Sequence, residues 1–297
     1  MTCLDSKNCR KTCVALGLFD SVHLGHRAVI LRAKELSQEK GFTATAFTFT
    51  NGAFTVKGVK PVISDEQKEK MLLSLGIEKV IAEDFESVRE LSPKEFFENK
   101  LLRELRCGYI VCGYDFRFGK NASGDTSLLY ELCEKNGVGL CVVDKVTADG
   151  MTVSTSAIRD FISQGEIEKA NKLLGYRLCI ESEISHGRKL GREMSFPTAN
   201  QALNEGVVLP KFGVYISQIE IDGRLYDGIT NVGVKPTVGS DRPVCETHIL
   251  GFKGDLYGKT ARLYLKSFLR EEKKFSSVKE LSSQIAKDIE AVKSNEL

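Results

Sequence analysis

Two of the chain's four histidines, His23 and His26, stand three residues apart in GLFDSVHLGH (residues 17–26), overlapping the end of the apolar run CVALGL. That spacing suits three chemistries: a metal pair, a base beside a nucleophile, or N–H donors around a bound anion. A zinc reading wants a third and fourth ligand, and none stands nearby. A nucleophile reading wants a serine or cysteine in a strained elbow such as G-x-S-x-G, and no such segment occurs. The anion reading needs a glycine-containing loop between a first strand and a first helix, where backbone N–H groups and the positive helix end point at the ligand. The segment offers that, with His23 on the loop and His26 in the first helical turn. The plainer alternative makes His26 a helix-start residue and His23 an exposed loop residue.

The elements that must position these residues fall into two textures. From residue 13 to about 153, strand-like runs alternate with amphipathic helical segments. CVALGL leads through the loop into HRAVILRAKELSQEK, which stops at Gly41, and FTATAFTFT alternates like a strand. SDEQKEK opens with a Ser-x-x-Gln capping box, and SPKEFF places Ser92, Pro93 and Glu95 as a helix start. This alternation predicts a parallel sheet with helices on both faces. After residue 175 the runs become short and glycine-broken, with the hairpin signal Asp222-Gly223 between two of them. Successive strands without helices between them predict an antiparallel sheet or small barrel. A final helix starts near Ser277 and Glu280, and a helical stretch over 155–176 joins the halves. The domains are therefore expected at 1–175 and 176–297.

Composition narrows the function classes. Of 297 residues, 42% are hydrophobic and 28% charged, with a net charge of +2, which argues against a nucleic-acid-binding stripe. No apolar stretch is long enough to span a membrane, and MTCLDSKNCRKTC carries no signal-peptide core, so a cytoplasmic protein is expected. Nine cysteines, mostly inside apolar runs, read as reduced thiols rather than a disulfide framework. The trio Cys3, Cys9 and Cys13 matches no zinc-finger spacing.

GLFDSVHLGH resembles the G-x-F-D-G-x-H-x-G-H signature of nucleotidylyltransferases. VSTSAIRD resembles their second phosphate element, and GYDFRFGKNASGD a block of bacterial FAD synthetases. In the second half, GRKLGREMSFPTANQ, PKFGVY, TNVGVKPTVG, CETHILGFKGDLYGK and LREEKKF resemble the riboflavin kinase module in order. From about residue 13 to 292 the chain thus resembles the bifunctional bacterial riboflavin kinase/FMN adenylyltransferases. The resemblance implies a Rossmann-like α/β adenylyltransferase domain followed by a six-stranded antiparallel barrel with a C-terminal helix. It implies two reactions, riboflavin plus ATP to FMN and FMN plus ATP to FAD and pyrophosphate, with Mg²⁺ or another divalent cation assisting. Riboflavin, FMN and ATP are then the partners.

The same resemblance assigns site residues. Glu246 is the base that takes the riboflavin hydroxyl proton, and Thr198 and Asn200 hold the metal and phosphates. Gly187 and Gly191 lie in a loop over the nucleotide. His23 and His26 stabilise charge around the α-phosphate, where the attacking FMN phosphate is already ionised and needs no base. Gly17, Phe19, Asp20 and Gly25 of the first signature belong to the nucleotide site, as do Ser154, Thr155, Ser156 and Arg159. Asp115, Phe116, Arg117 and Arg270 map to the flavin sites, although Phe116 and Phe118 equally suit core packing.

The chain also departs from the pattern. Ser21 replaces a glycine, which costs about 1 kcal/mol if that position needs a positive φ. TFTNGAF stands where the family reads Pro-His-Pro, so Asn51, Gly52 and Ala53 remove a histidine and are expected to leave a less rigid loop. Ala122 occupies an often basic place, Ser182 and Ser195 replace glycines, and Gly251 replaces an aspartate. These departures leave Thr198, Asn200 and Glu246 intact, so a riboflavin kinase with a weakened first domain is the alternative expectation. A flavin-binding protein without turnover is a third.

Overall fold

The computed structural model describes residues 10–56, 58–185, 198–237, 240–252, 254 and 256–294. The chain divides into two compact units, Met1–Thr155 and Ser156–Leu297.

In the first unit, strands β1 (Thr12–Leu16), β2 (Thr43–Phe49), β3 (Lys79–Glu83), β4 (Cys107–Gly113) and β5 (Gly139–Val143) form one sheet in the order β3-β2-β1-β4-β5. Every pairing in it is parallel, as the strand–helix alternation predicts. Helix α1 (Leu24–Lys40) follows β1 and ends at Gly41 with φ 67°, the left-handed cap expected there. Short α2 (Gly52–Val56) follows β2, and α3 (Asp65–Ser74) carries the predicted Ser64–Gln67 capping box. The Ser92–Glu95 box starts α4 (Pro93–Glu95), which continues as π-helical turns over Phe96–Glu104. Helix α5 (Thr126–Asn136) precedes β5. The core lies between sheet and helices, with Val14, Leu16, Ile110, Phe97, Leu101 and Leu129 nearly or fully inaccessible. After β5, a small hairpin of β6 (Thr147–Ala148) and β7 (Met151–Thr152) ends the unit.

The boundary falls at the first residue of α6 (Thr155–Gln164), so the second unit begins with the rest of that helix and α7 (Ile167–Leu174). Sequence texture sets the change of architecture at 175/176, but packing groups both helices with the barrel strands. Helix α7 turns Ile167, Ala170, Leu173 and Leu174 inward, and its Asn171 amide donates to the carbonyl of Leu265. Strands β8 (Cys179–Ser185), β9 (Thr198–Ala202), β10 (Gly213–Ile221), β11 (Arg224–Thr237), β12 (Ser240–Ile249) and β13 (Thr260–Arg270) close into a barrel. Its order is β10-β11-β12-β9-β8-β13, all antiparallel. The β10–β11 turn is Asp222-Gly223, both at positive φ, which is the twist a two-residue hairpin requires.

Helix α8 (Val278–Ser294) lays Val292 and Ile289 against Val214, Ile216 and Ile229 on the barrel's outside. The Ser277 hydroxyl caps it by accepting from Glu280 N–H, while the Glu280 carboxylate reaches Ser276 instead of closing the box on Ser277.

The barrel interior is partly polar. Ser217, Thr230 and Thr247 are fully buried and link their hydroxyls in a chain, at 2.7 Å and 2.8 Å. Gln201 donates to the carbonyls of Ser182 and Ala261 across β8 and β13. Thr230 is the middle link, so Thr230→Val would leave hydroxyls on both sides short of a partner. Urea unfolding of this variant is expected to show a loss of about 1–3 kcal/mol, whereas Thr→Val at an exposed strand position changes little.

Candidate active sites on the sheet edge and the barrel face

In a parallel sheet all carboxyl ends lie on one edge, and the strand order here reverses direction between β1 and β4, the place where such folds bind ligands. The loop after β1 is GLFDSVHLGH and the loop after β4 is GYDFRFG, so topology brings the two sequence blocks to one crevice edge.

His23 is the N-cap of α1, and its Nδ1 accepts from the His26 backbone N–H at 3.0 Å. That bond fixes the neutral tautomer, leaving Nε2–H as the donor His23 can offer a ligand. The two imidazoles stack with centroids 3.6 Å apart and planes within 10°, and Phe19 meets His26 edge-on at 5.4 Å. Burial lowers His23 to about 4, and burial with the neighbouring His23 ring lowers His26 well below the usual range. Both rings are therefore neutral at pH 7. They can act as hydrogen-bond donors rather than standing cations. His26 Nδ1 is buried without a hydrogen-bond partner among the described residues. The first turn of α1 carries no acidic side chain, so nothing there opposes an anion at the helix start.

The other signature residues shape the loop. A Cβ on Gly17 would lie 2.8 Å from the Phe19 ring, and one on Gly25 would lie 3.1 Å from His23 Cε1. These glycines make room for rings. Phe19 is buried at φ 47° and Val22 at φ 43°. Ser21 is not among the positive-φ residues, so the strain expected at Ser21 falls on its neighbours instead. Asp20 is buried, with its carboxylate accepting from Val62 N–H at 2.7 Å.

The segment that replaces Pro-His-Pro is tied down rather than loosened. Asn51 N–H donates to the Asp65 carboxylate, its side chain donates to the Ile63 carbonyl, and Ala53 and Phe54 are buried in α2. The after-β4 block divides. Phe118 belongs to the core, and Phe116 stacks on it at 5.7 Å, whereas Asp115 and Arg117 are exposed, Arg117 lying 3.6 Å from Asp125. Ser154 and Thr155 end the first unit, while exposed Ser156 and half-buried Arg159 lie on α6 in the second.

On the barrel, strand alternation sorts the residues. Ala199, Gln201, Cys245 and Thr247 turn inward with no accessible surface, which sends Thr198, Asn200, Glu246 and His248 to the outer face. The register sets Asn200 opposite Glu246 and Thr198 opposite His248. Thr198 Oγ1 donates to Glu246 Oε1 at 3.0 Å. Two segments 48 positions apart in sequence thus deliver a hydroxyl, an amide and a carboxylate to one spot. Asn231 faces Glu246 from β11, and its amide donates to Glu272 Oε1 at 2.9 Å. Neither Asn231 nor His248 stands out in sequence; alternation from Glu246, combined with register, is the signal that finds them.

Arg270 has a structural partner: its guanidinium grips buried Asp288 of α8 through Nε and Nη2, with Nη2 at 2.7 Å, and donates from Nη1 to the Glu271 carbonyl. Gly187, Gly191 and Ser195 lie outside the described residues. Cys13, Cys107, Cys112, Cys133 and Cys245 are free and buried, with thiols pushed up to about 12 chiefly by burial. Among the described residues no three His, Cys, Asp or Glu side chains cluster as a metal site.

A family model described as FAD synthetase matches residues 5–157, and one described as riboflavin kinase matches residues 174–295. The bifunctional riboflavin kinase/FMN adenylyltransferase of Bacillus subtilis (strain 168) is 36% identical, across 94% of this chain and 90% of its own. That of Escherichia coli (strain K12) is 30% identical, across 93% and 90%. A solved Streptococcus pneumoniae structure, described as a macrolide-efflux protein, superposes with a TM-score of 0.86 at 26% identity, covering 97% of this chain and 96% of that one. Among the described residues of this chain, no helix is long and apolar enough to cross a membrane.

The neutral histidines make stability depend on pH. His23 titrates at about 4 when folded against 6.5 when exposed, so the unfolded chain binds more protons between those values. Stability is then full above about pH 6.5 and falls as the pH drops toward 4, by up to about 3 kcal/mol from His23. His23→Asn keeps a good N-cap but cannot titrate. Hydrogen-exchange protection of α1 is expected to drop less on acidification in this variant than in the parent.

Proposed function

The chain belongs to the bifunctional riboflavin kinase/FMN adenylyltransferase family, and from that premise we propose how its two units divide the work. The second unit transfers the γ-phosphoryl group of ATP to the terminal hydroxyl of riboflavin, giving FMN and ADP. The first unit joins FMN to the adenylyl group of a second ATP, giving FAD and pyrophosphate. The observation that carries the reading is the barrel-face cluster, in which Thr198 is bonded to Glu246 and Asn200 stands directly opposite it.

An alcohol is a weak nucleophile at neutral pH, so the kinase step requires a positioned base to take its proton. Glu246 fills that role. It sits on a rigid strand, half-buried, with its Oε1 oriented by the Thr198 hydroxyl. Thr198 and Asn200 present hard oxygen atoms beside it, which fits Mg²⁺, an ion that takes few protein ligands and completes its shell with water and phosphate oxygens. When bound, the ion neutralises charge on the transferring phosphoryl group. Position and charge, rather than covalent chemistry by the protein, account for catalysis.

The adenylyl transfer has no such need of a base, because a phosphate monoester is largely ionised at pH 7. What it needs is donors for the charge that gathers on the α-phosphate and on departing pyrophosphate. His23 Nε2–H, the His26 ring and the start of α1 supply them. An anion brought against these rings favours their protonated form and so offsets part of the burial effect. Asp115 and Arg117, exposed beyond β4 on the same sheet edge, meet the flavin or the nucleotide in this reading. The buried, free thiols suit a reducing cytoplasm.

Incubation of the protein with FMN, ATP and Mg²⁺, without riboflavin, is expected to accumulate FAD over many turnovers when flavins are separated by chromatography. FMN left unchanged, with riboflavin still phosphorylated in parallel, would identify a riboflavin kinase alone. Glu246→Gln should lower FMN formation about 100-fold or more yet leave FMN-to-FAD conversion within about twofold. His26→Ala should do the reverse, with adenylyl transfer down about 10²-fold. Equal loss of both activities in either variant would break the two-site assignment.

A further inference from the structure

Resting on the adenylyltransferase reading above, we propose that Asp20 is a positioning residue for that reaction, acting through His23 and His26 as a hydrogen-bond acceptor and not by contact with substrate or metal.

The loop that carries the histidines is strained twice, at Phe19 and Val22, neither of which is glycine. Such backbone persists only where its surroundings over-determine it. Three contacts do so here. The Thr48 hydroxyl donates to the Leu18 carbonyl at 2.8 Å, Val22 N–H closes a turn onto the Phe19 carbonyl, and Asp20 Oδ1 accepts from Val62 N–H at 2.7 Å. The last is the long reach, joining the loop after β1 to a segment 42 residues on.

That segment is itself anchored. Asn51 binds the Ile63 carbonyl by its side chain and the Asp65 carboxylate by its N–H. Asp65 pairs with buried Lys68 at 2.9 Å, and Lys68 donates to the Phe49 carbonyl at the end of β2. The chain of contacts therefore runs from the β2 end through Lys68, Asp65, Asn51 and Ile63 to Val62, and then to Asp20 in the histidine loop. Asp20 is 1% exposed, so little of it can meet a ligand, and a carboxylate aimed at a triphosphate would repel it. Accepting a buried backbone N–H is a task that needs an oxygen but not a charge.

This separates two variants. Asp20→Ala removes the acceptor; Asp20→Asn keeps an oxygen for Val62 N–H and removes the charge. Adenylyl transfer from FMN and ATP is expected to lose about 10–100-fold in kcat in Asp20→Ala, more than any change in KM for ATP, because misplaced donors weaken the transition state most. Asp20→Asn should stay within about threefold of the parent, since the bond to the amide survives. Riboflavin phosphorylation serves as the internal control in both. An Asn variant as impaired as the Ala variant would overturn the proposal, because charge would then be what the site uses. An unimpaired Ala variant would overturn it too. Exchange of the peptide covering 58–63, faster in Asp20→Ala and unchanged in Asp20→Asn, tests the anchor without reference to activity. Should the parent itself make no FAD, that exchange pattern still decides the anchor, while the failure falls on the adenylyltransferase reading.

Discussion

Side-chain alternation on paired strands is the constraint on which the barrel interior and its Thr198–Glu246 face both depend. Thr247 points inward and completes the hydroxyl chain with Thr230 and Ser217, so its neighbours Glu246 and His248 must point out. The same holds on β9, where inward Ala199 and Gln201 fix outward Thr198 and Asn200. A slip of one residue would bury a carboxylate and expose the interior hydroxyls at once. The polar interior therefore does more than fill space. An apolar interior would tolerate several registers of similar side chains, whereas a hydrogen-bonded chain of three hydroxyls accepts one. Register is what sets Glu246 opposite Asn200 and within a hydrogen bond of Thr198.

The first unit solves its positioning problem with backbone rather than strand faces. Parallel pairing sends the ends of β1, β2 and β4 to one edge, and the loops there are held by carboxylates accepting backbone N–H groups, Asp20 from Val62 and Asp65 from Asn51. Burial of the histidine pair has a chemical consequence. Burial disfavours charge on both rings, and for His26 the His23 ring stacked at 3.6 Å adds to it, so both are neutral at pH 7. A permanent cation would hold the triphosphate and the released pyrophosphate alike, and uniform binding of that kind does not speed the chemical step. A neutral donor that gains charge only as its ligand does avoids that uniform effect.

Much of this was legible in the sequence, for physical reasons that differ by element. Capping boxes at Ser64 and Ser92, the Gly41 cap and the Asp222-Gly223 hairpin are local, and local signals survive into the fold. The two architectures followed from strand–helix alternation giving way to successive strands. What sequence could not reach depended on distance. Ser21 looked like the strained position, yet the loop places its positive φ at Phe19 and Val22, because Gly17 leaves space for the Phe19 ring and Asp20 is held from Val62. Asn51 looked like a loss of rigidity, since its partners Ile63 and Asp65 come from another segment. Within the helical stretch over 155–176, α7 turns its apolar side chains inward in the second unit, a packing that depends on distant barrel strands. The bond from Arg270 to Asp288, which fastens α8, likewise joins two separate elements and is not visible in the sequence.

The two sites differ as their nucleophiles differ. The kinase must deprotonate an alcohol, and a carboxylate that does so has to be held within hydrogen-bond reach of a single oxygen. Adjacent strands of a closed barrel are among the stiffest supports a small protein has, and that is where Glu246 stands. The adenylyltransferase starts from an anion that needs no activation, so its demands are donors and the exclusion of repulsion. At the start of α1 the first turn has no acidic side chain, both histidine rings are neutral, and the Asp20 carboxylate accepts from the Val62 amide. The segment after β2 is held as well, since Asn51 is bonded at two points, to Asp65 and to Ile63. On the barrel, Glu246, Thr198 and Asn200 are each a single side chain on a fixed register, with Thr198 bonded to Glu246 and Asn200 opposite it.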